Sequence, residues 1–169
     1  MKIGILSDTH NYLDPKIYKY FENVDELWHA GDIGNTELMD ELEKFKPVRF
    51  VYGNIDGHLI RARAPEYELF EVGGLKVLML HIGGKPPGYT KQASALIARL
   101  RPDIFVCGHS HILRVAHDPK RHKLLYINPG AAGIVGFHKV KTIIRFEISE
   151  GKVSNMQAIE LGARAQKKP

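Results

Sequence analysis

The chain has 169 residues, 44% of them hydrophobic and 25% charged, which is typical of a single globular domain with a substantial core. Its one cysteine, Cys107, excludes an intrachain disulfide framework and an all-cysteine metal site, and it indicates a reducing, cytoplasmic setting. The sequence shows no secretory leader and no apolar run of about 18 residues, so we expect no membrane association.

The net charge of +5 gives only weak support for nucleic-acid binding. Residues 162–169 contain Arg164, Lys167 and Lys168 and no acid, and without these three charges the chain carries +2. A solvated basic tail therefore explains the charge better than a dedicated nucleic-acid surface.

Strand and helix patterns alternate through the first two-thirds of the chain. Capping residues mark three helices: Asp14 before Pro15, then Asn35 or Thr36, then Thr90. Pro47 ends the second of them. The strands predicted in this part are residues 2–7, 26–30, 48–52, 67–72, 75–80 and 103–107. Residues 67–80 form a hairpin across Gly73-Gly74, and residues 83–88 are predicted to be a loop.

The last third of the chain contains only strand patterns. They span residues 113–117, 123–127, 140–148 and 153–159. We therefore predict an α/β fold in which two sheets pack together as a sandwich, with helices on the outer faces. A single domain over residues 1–160 and a flexible basic tail over residues 161–169 complete this prediction.

Five of the predicted strands end at residues that commonly bind metals. The seven donors are Asp8, His10, Asp32, Asn54, His81, His109 and His111. Open α/β sheets bind ligands just beyond the carboxyl ends of their strands. The repeated placement therefore predicts one site at one edge of a sheet. Glycines precede three of the donors and allow the close backbone approach that such a site needs.

The donor set indicates two metal ions. Carboxylate, imidazole and amide donors without thiolate suit Mn, Fe, Zn, Co or Ni better than Ca or Mg. Seven donors are too many for one four-coordinate ion, but they suit two ions that share a bridging carboxylate. With two divalent cations, two aspartates and a hydroxide, a charge of about +1 remains to attract an anionic phosphoester.

The ordered motifs resemble those of the calcineurin-like metallophosphoesterases. They are Asp8-Thr-His10, Gly31-Asp32, Gly53-Asn54-Ile-Asp56, His81 and Gly108-His109-Ser-His111. Their spacing is similar to that of the small prokaryotic phosphodiesterase branch, which is related to the eukaryotic retromer subunit of the same fold. The resemblance covers residues 1–160 and implies a four-layer αββα sandwich.

The resemblance also implies a role for each donor. The first metal would be held by Asp8, His10 and His111, and the second by Asn54, His81 and His109, with Asp32 as the bridge. The catalytic residues would be Asp32, Asn54 and His109. The implied cofactors are two divalent metal ions, with Mn preferred over Ni, Fe, Zn or Co. The implied reaction is hydrolysis of a small-molecule phosphodiester by a metal-bridging hydroxide.

Two departures from the family pattern affect the expected substrate. Many relatives place a histidine after the metal-binding asparagine, where it protonates the leaving group or stabilises phosphate charge, but this chain has Ile55, which can do neither. We therefore predict weak activity on esters with poor leaving groups and better activity on aryl phosphodiesters. The residues after His81 also differ from the family pattern, which leaves the shape of the substrate open.

Three further residues have open roles. Asp56 and Asn128 either support the site or act as ordinary turn residues. His58 either reaches over the site as a substitute acid or lies in a surface loop. His29 is interpreted as a packing residue, Cys107 as inert core, and His138 as a histidine with no identified partner.

Two other functions remain as alternatives. The first is a non-catalytic interaction scaffold of the same fold, although all seven donors are present. The second is a nuclease with the same two-metal chemistry, which the mild charge of the body does not favour. Homo-oligomers are compatible with the sequence.

Overall fold

The computed structural model describes residues 1–164, which form twelve strands and four helices. The strands are β1 (Lys2–Leu6), β2 (Glu26–His29), β3 (Val48–Phe50), β4 (Tyr67–Val72), β5 (Leu75–Leu80), β6 (Gly84–Lys85), β7 (Gly88–Tyr89), β8 (Ile104–Val106), β9 (Leu113–Asp118), β10 (Leu124–Pro129), β11 (Val140–Ser149) and β12 (Lys152–Ala163). The helices are α1 (Lys16–Tyr20), α2 (Thr36–Phe45), α3 (His58–Arg61) and α4 (Lys91–Leu100).

The first sheet has the strand order β12-β11-β1-β2-β3. Strand β1 pairs in parallel with β2, and β2 pairs in parallel with β3, with α1 and α2 as the crossovers. Parallel neighbours end at the same edge of a sheet. The loops that follow β1, β2 and β3 therefore emerge side by side.

The second sheet has the strand order β4-β5-β8-β10-β9. Its central strands β5, β8 and β10 are parallel, and α4 lies in the crossover between β5 and β8. Hairpins add β4 and β9 as antiparallel edge strands. The loops after β5 and β8 therefore emerge together, as the loops of the first sheet do.

Three apolar clusters define four layers. Trp28 and Phe146 of the first sheet pack against Val77 and Val106 of the second in the cluster between the sheets. A second cluster joins the first sheet to α1, α2 and α3, and a third joins the second sheet to α4. The predicted αββα sandwich is confirmed.

The predicted caps begin two helices. Asn35 Oδ1 accepts a hydrogen bond from the Leu38 amide at 2.9 Å, which decides between Asn35 and Thr36. Thr90 Oγ1 accepts one from the Ala93 amide at 3.2 Å. Each bond satisfies an amide that has no partner inside its helix.

Several boundaries differ from the sequence prediction. Helix α3 and the short pair β6–β7 are additional, because one-turn helices and two-residue strands leave no periodicity to read. Strand β12 extends past residue 160 to Ala163 and pairs with β11, so the tail begins later than predicted. The rest of the predicted tail, residues 165–169, lies outside the described residues. Among residues 1–164, no helix combines the length and the apolar character that crossing a membrane requires.

Candidate metal centre

The seven predicted donors lie together where the two sheets meet. Asp8 and His10 follow β1, Asp32 follows β2 and Asn54 follows β3, all in the first sheet. The three remaining histidines, His81, His109 and His111, follow β5 and β8 of the second sheet. The prediction that the site lies at one edge of one sheet is therefore wrong. The site spans both sheets, because the parallel strands of the two stacked sheets end on the same side. We refer to these seven residues as the metal centre.

One half of the metal centre is formed by Asp8, His10 and His111, whose potential ligand atoms all lie within 4.8 Å of one another. Asp8 Oδ1 is 3.1 Å from His111 Nε2 and 3.9 Å from His10 Nε2. Asp8 is fully buried, and its other oxygen accepts hydrogen bonds from the Ser7 hydroxyl and the His109 amide. Oδ1 is thereby left directed toward the two imidazoles.

The other half is formed by Asp32, His81 and His109, again with ligand atoms within 4.8 Å of one another. Asn54 belongs to the same half, because its Oδ1 lies 3.2 Å from His81 Nε2 and 2.9 Å from His109 Nδ1. The four side chains thus offer one carboxylate, one amide oxygen and two imidazoles around a common point.

Asp32 lies between the two halves. Its Oδ1 is 3.3 Å from His81 Nε2, and its Oδ2 is 3.5 Å from His10 Nε2. The Ile55 amide donates to Oδ1 at 3.1 Å and fixes the orientation of the carboxylate. Asp32 therefore has the placement that a bridging carboxylate requires.

Two buried atoms of the metal centre have no hydrogen-bond partner among the described residues. They are Asp8 Oδ1 and His10 Nε2, which lie in the same half. Buried polar atoms are nearly always paired, because an unpaired one costs about 1–3 kcal/mol. A divalent cation between these atoms would satisfy both, so the residues present fit a metal.

Backbone strain is concentrated at the same residues. Asp8, His10, Asp32, His109 and His111 all have positive φ, between 45° and 66°. Such values are rare for residues other than glycine and cost of order 1–3 kcal/mol each. Strain of this kind persists only where the surrounding structure enforces it, and it is typical of ligand sites.

Two glycines allow the loops of the metal centre to approach closely. A Cβ on Gly53 would lie 2.0 Å from Asp32 Oδ1, and a Cβ on Gly31 would lie 2.6 Å from the His81 ring. Gly31 also has a φ of +99°, which side chains disfavour. Both contacts cross between loops, so a larger residue at either position would separate the donors.

Hydrogen bonds orient two of the histidines. His81 Nδ1 donates to the Ala30 carbonyl at 2.7 Å, which directs Nε2 toward Asp32. His138 Nε2 donates to the Gly133 carbonyl at 2.9 Å, so its Nδ1 accepts from His111 Nδ1 at 3.2 Å. His111 Nε2 is then free to act as a ligand. The supporting role of His138 is missing from the sequence prediction, because 27 residues separate it from His111 and no motif connects them.

Asp56 connects the loops of the metal centre. The buried carboxylate accepts from the Gly53 and Ile33 amides through Oδ2, at 2.7 and 3.1 Å, and from the Gly34 amide through Oδ1, at 2.9 Å. These amides belong to the loops that carry Asn54 and Asp32. Asp56 therefore holds the potential metal ligands Asn54 and Asp32 in position.

His29 is more than a packing residue. Its Nδ1 accepts from the Gly31 amide at 3.2 Å, and its Nε2 donates to the Thr9 hydroxyl at 2.9 Å. Thr9 in turn donates to the Ile33 carbonyl at 3.0 Å. Complete burial lowers the pKa of His29 to about 4, so the neutral ring links the first two donor loops.

Asn128 supports the loop of the second sheet. The side chain is fully buried, and its Nδ2 donates to the Gly108 carbonyl at 2.9 Å and to Ser110 Oγ at 3.1 Å. Its contacts thus hold the segment that carries His109 and His111. His58, by contrast, is exposed at the start of α3 and makes no hydrogen bond to the metal centre among residues 1–164.

The carboxylate and imidazole of the second half stabilise each other's charge. Burial opposes ionisation of Asp32, but the hydrogen bond and charge of His81 outweigh it and lower the pKa of Asp32. Burial also opposes protonation of His81, but the hydrogen bond to Asp32 and the charge of Asp8 raise its pKa. The pair is thus electrostatically suited to hold positive charge, whether a proton or a cation.

Comparison with known proteins gives one consistent result. Residues 1–151 match the model of the calcineurin-like phosphoesterase superfamily domain. A probable metallophosphoesterase of Methanothermobacter thermautotrophicus is 32% identical over 138 residues, covering 78% of this chain and 77% of the relative.

Solved structures share the fold. An archaeal phosphodiesterase superposes with a TM-score of 0.76 at 24% identity, covering 95% of this chain and 100% of that one. The Vps29 protein of Entamoeba histolytica, solved in complex with zinc, gives a TM-score of 0.71 at 19% identity, covering 95% and 99%.

Proposed function

The chain belongs to the calcineurin-like phosphoesterase superfamily, and from that premise we propose that it is a phosphodiesterase dependent on two divalent metal ions. The observation that carries the proposal is the metal centre itself. Seven donors from two sheets converge in two adjoining groups, and two of their buried atoms have no hydrogen-bond partner within residues 1–164. The structural similarity to an archaeal phosphodiesterase supports phosphodiester hydrolysis as the reaction class.

The two halves of the metal centre would each hold one ion. We assign Asp8, His10 and His111 to the first ion, Asn54, His81 and His109 to the second, and Asp32 to both. When bound, two divalent ions supply Lewis acidity toward phosphate oxygens and make water a competent nucleophile at neutral pH. The mixed set of carboxylate, amide and imidazole donors is compatible with Mn, Ni, Fe, Zn and Co, and we propose Mn.

The residues of the chain then contribute charge and orientation. Asp8 and Asp32 are the only carboxylates in the metal centre, so a centre holding two divalent ions retains positive charge that attracts a phosphodiester anion. The Asn54 amide is neutral and does not reduce this attraction. His81 and His111 are held with Nε2 toward the metal centre, so little reorganisation is needed.

Two buried side chains near the metal centre, Ser7 and Cys107, are unsuited to act as covalent nucleophiles. Ser7 is buried and donates to Asp8 Oδ2 at 2.7 Å. Burial raises the pKa of the Cys107 thiol to about 12, so this side chain stays protonated. Direct attack by water is therefore proposed, without an enzyme-bound intermediate.

Ile55 determines which esters would react well. Its side chain cannot donate a proton, although its amide orients Asp32. A leaving group must then depart without help from this position. Aryl phosphodiesters, whose leaving groups are weakly basic, are the proposed model substrates.

The test is hydrolysis of bis(p-nitrophenyl) phosphate by chelator-stripped protein, with Mn²⁺, Ni²⁺, Zn²⁺ or Mg²⁺ restored in turn. We expect metal-dependent turnover that Asp32→Asn and His109→Ala abolish. Asp25→Asn and His122→Ala, which are remote from the metal centre, serve as matched controls and are expected to keep full activity. Turnover that survives Asp32→Asn would contradict the proposal.

An interaction scaffold is the second candidate. Exposed apolar side chains occur next to three donors: Ile55 after Asn54, Ile82 after His81, and Ile112 after His111, with Ile112 62% exposed. Exposed apolar groups of this kind favour a protein partner. No turnover with any metal, together with two metals bound per chain, would favour the scaffold.

Two details belong to the same proposal. The single cysteine, Cys107, is buried and is consistent with the cytoplasmic location that we propose. A small-molecule diester is preferred over nucleic acid, because the chain without its basic end is only mildly charged. Cleavage of oligonucleotides with a steep loss of activity in salt would instead indicate a nuclease.

A further inference from the structure

A cleft of about 390 Å³ opens beside His109. Tyr126 of β10 lines it. The β6–β7 pair forms one wall, since the Tyr126 hydroxyl donates to the Gly84 carbonyl at 2.8 Å. Ile82 and Ile112 add apolar surface. The cleft therefore adjoins the metal centre directly.

Two cationic side chains line the cleft. Lys85 and Arg114 both line it, and neither forms a salt bridge within residues 1–164. The lining of the cleft, in the part of the chain that the structure describes, includes no Asp or Glu. Two positive groups facing a cleft without counter-charge are suited to an anionic ligand.

The position of Arg114 is well defined. It pairs with Asn128 across the β9–β10 ladder, and Asn128 holds the loop that carries His109. Arg114 Nη2 donates to the Pro86 carbonyl at 3.3 Å, which leaves its other N–H groups available. A guanidinium held in this way can bind a phosphate or carboxylate through two parallel hydrogen bonds.

Ser110 adds a donor at the same wall. Its Oγ accepts from Asn128 Nδ2 at 3.1 Å and from the Ile112 amide at 3.2 Å. With both lone pairs engaged, the hydroxyl proton is free to donate to a ligand in the cleft. Apolar walls, two cations and one hydroxyl donor thus occur in a single cleft next to a metal ligand.

We propose that this cleft binds one substituent of the phosphodiester, and that this substituent is partly apolar and carries a second anionic group recognised by Lys85 and Arg114. The inference rests on the proposed function and narrows its substrate class. A plain diester such as bis(p-nitrophenyl) phosphate has no group to engage the two cations. A phosphorylated nucleoside diester has one.

Two matched substrates test the proposal: thymidine 5′-(p-nitrophenyl phosphate) and the same compound with a 3′-phosphate. With Mn²⁺-loaded protein, we expect at least a tenfold higher kcat/KM for the 3′-phosphorylated form, through a lower KM. The Lys85→Gln/Arg114→Gln variant is expected to reduce the ratio to near one. Lys44→Gln/Arg99→Gln, which removes the same charge outside the cleft, is expected to retain it.

Binding gives a readout that does not depend on turnover. Calorimetry should show thymidine 3′,5′-bisphosphate binding at least tenfold more tightly than thymidine 5′-monophosphate, with the difference lost in Lys85→Gln, a change at an exposed residue. Equal binding of the two nucleotides, or a preference that survives the cleft variants, would overturn the proposal. If no substrate is hydrolysed but this binding preference is intact, the proposed function is refuted, whereas the anion site at Lys85 and Arg114 remains supported.

Discussion

Asp56 is predicted to be essential for the geometry of the metal centre, although it touches no ligand atom. Replacement by alanine leaves three backbone amides without their acceptor, and the bonds from Gly53 and Ile33 are buried. Two buried unpaired donors at about 1–3 kcal/mol each give a destabilisation of about 4 kcal/mol. For a chain of this size that corresponds to a fall in Tm of about 8–16 °C.

Asp56→Asn is expected to have a smaller effect on stability. The amide can keep one oxygen toward the Gly53 and Ile33 amides and lose only the bond from Gly34, at a cost of about 1–2 kcal/mol. The loops of Asp32 and Asn54 are nevertheless loosened. Changes in groups that orient metal ligands typically weaken metal binding by about 10–100-fold.

The assay is urea and thermal unfolding of chelator-stripped protein, followed by titration with Mn²⁺. Asp25→Ala is the matched control, because the Asp25 carboxylate accepts a single exposed bond from the Lys2 amide at 2.6 Å. It is expected to cost less than about 1 kcal/mol and to leave Mn²⁺ binding unchanged. If Asp56→Ala destabilises no more than Asp25→Ala, or if Asp56→Asn binds Mn²⁺ as tightly as the wild type, Asp56 does not hold the loops.

Three further predictions concern the histidines and Ile55. His138→Ala removes the acceptor of the His111 Nδ1 proton, and Mn²⁺ affinity is expected to fall about tenfold or more, whereas His117→Ala, an exposed site, should leave it unchanged. Burial lowers the pKa of His29 from 6.5 to about 4, so protons bind preferentially to the unfolded chain in this window. The free energy of unfolding of metal-free protein should therefore fall as pH drops from about 6.5 to 4. His29→Gln should remove this contribution to the pH dependence of the free energy of unfolding, measured by urea titration at each pH. An unchanged pH dependence would show that His29 is not held neutral. Because Ile55 cannot donate a proton, kcat/KM for bis(p-nitrophenyl) phosphate should exceed that for alkyl phosphomonoesters by more than tenfold, and Ile55→His should narrow the gap; equal rates in the wild type would disprove this role.

Most of the strands, and the donor residues that follow them, could be predicted from the amino-acid sequence. Apolar runs that stop at Asp8, Asp32 and Asn54 are visible without a structure, because strand length and glycine turns are local properties. The caps Asn35 and Thr90 are equally local, since each needs only an amide three residues away. The two-sheet sandwich also followed from the order of helix and strand patterns.

The way in which the donors meet depends on long-range packing. His81, His109 and His111 come from a different sheet than the other four donors, and the stacking of two sheets depends on long-range packing through residues such as Trp28 and Val106. The supporting contacts are equally non-local. His138 reaches His111 across 27 residues, and Asp56 links loops more than 20 residues apart. Such contacts leave no periodic trace in the chain, because side chains are brought together by the packing of layers rather than by spacing along the sequence.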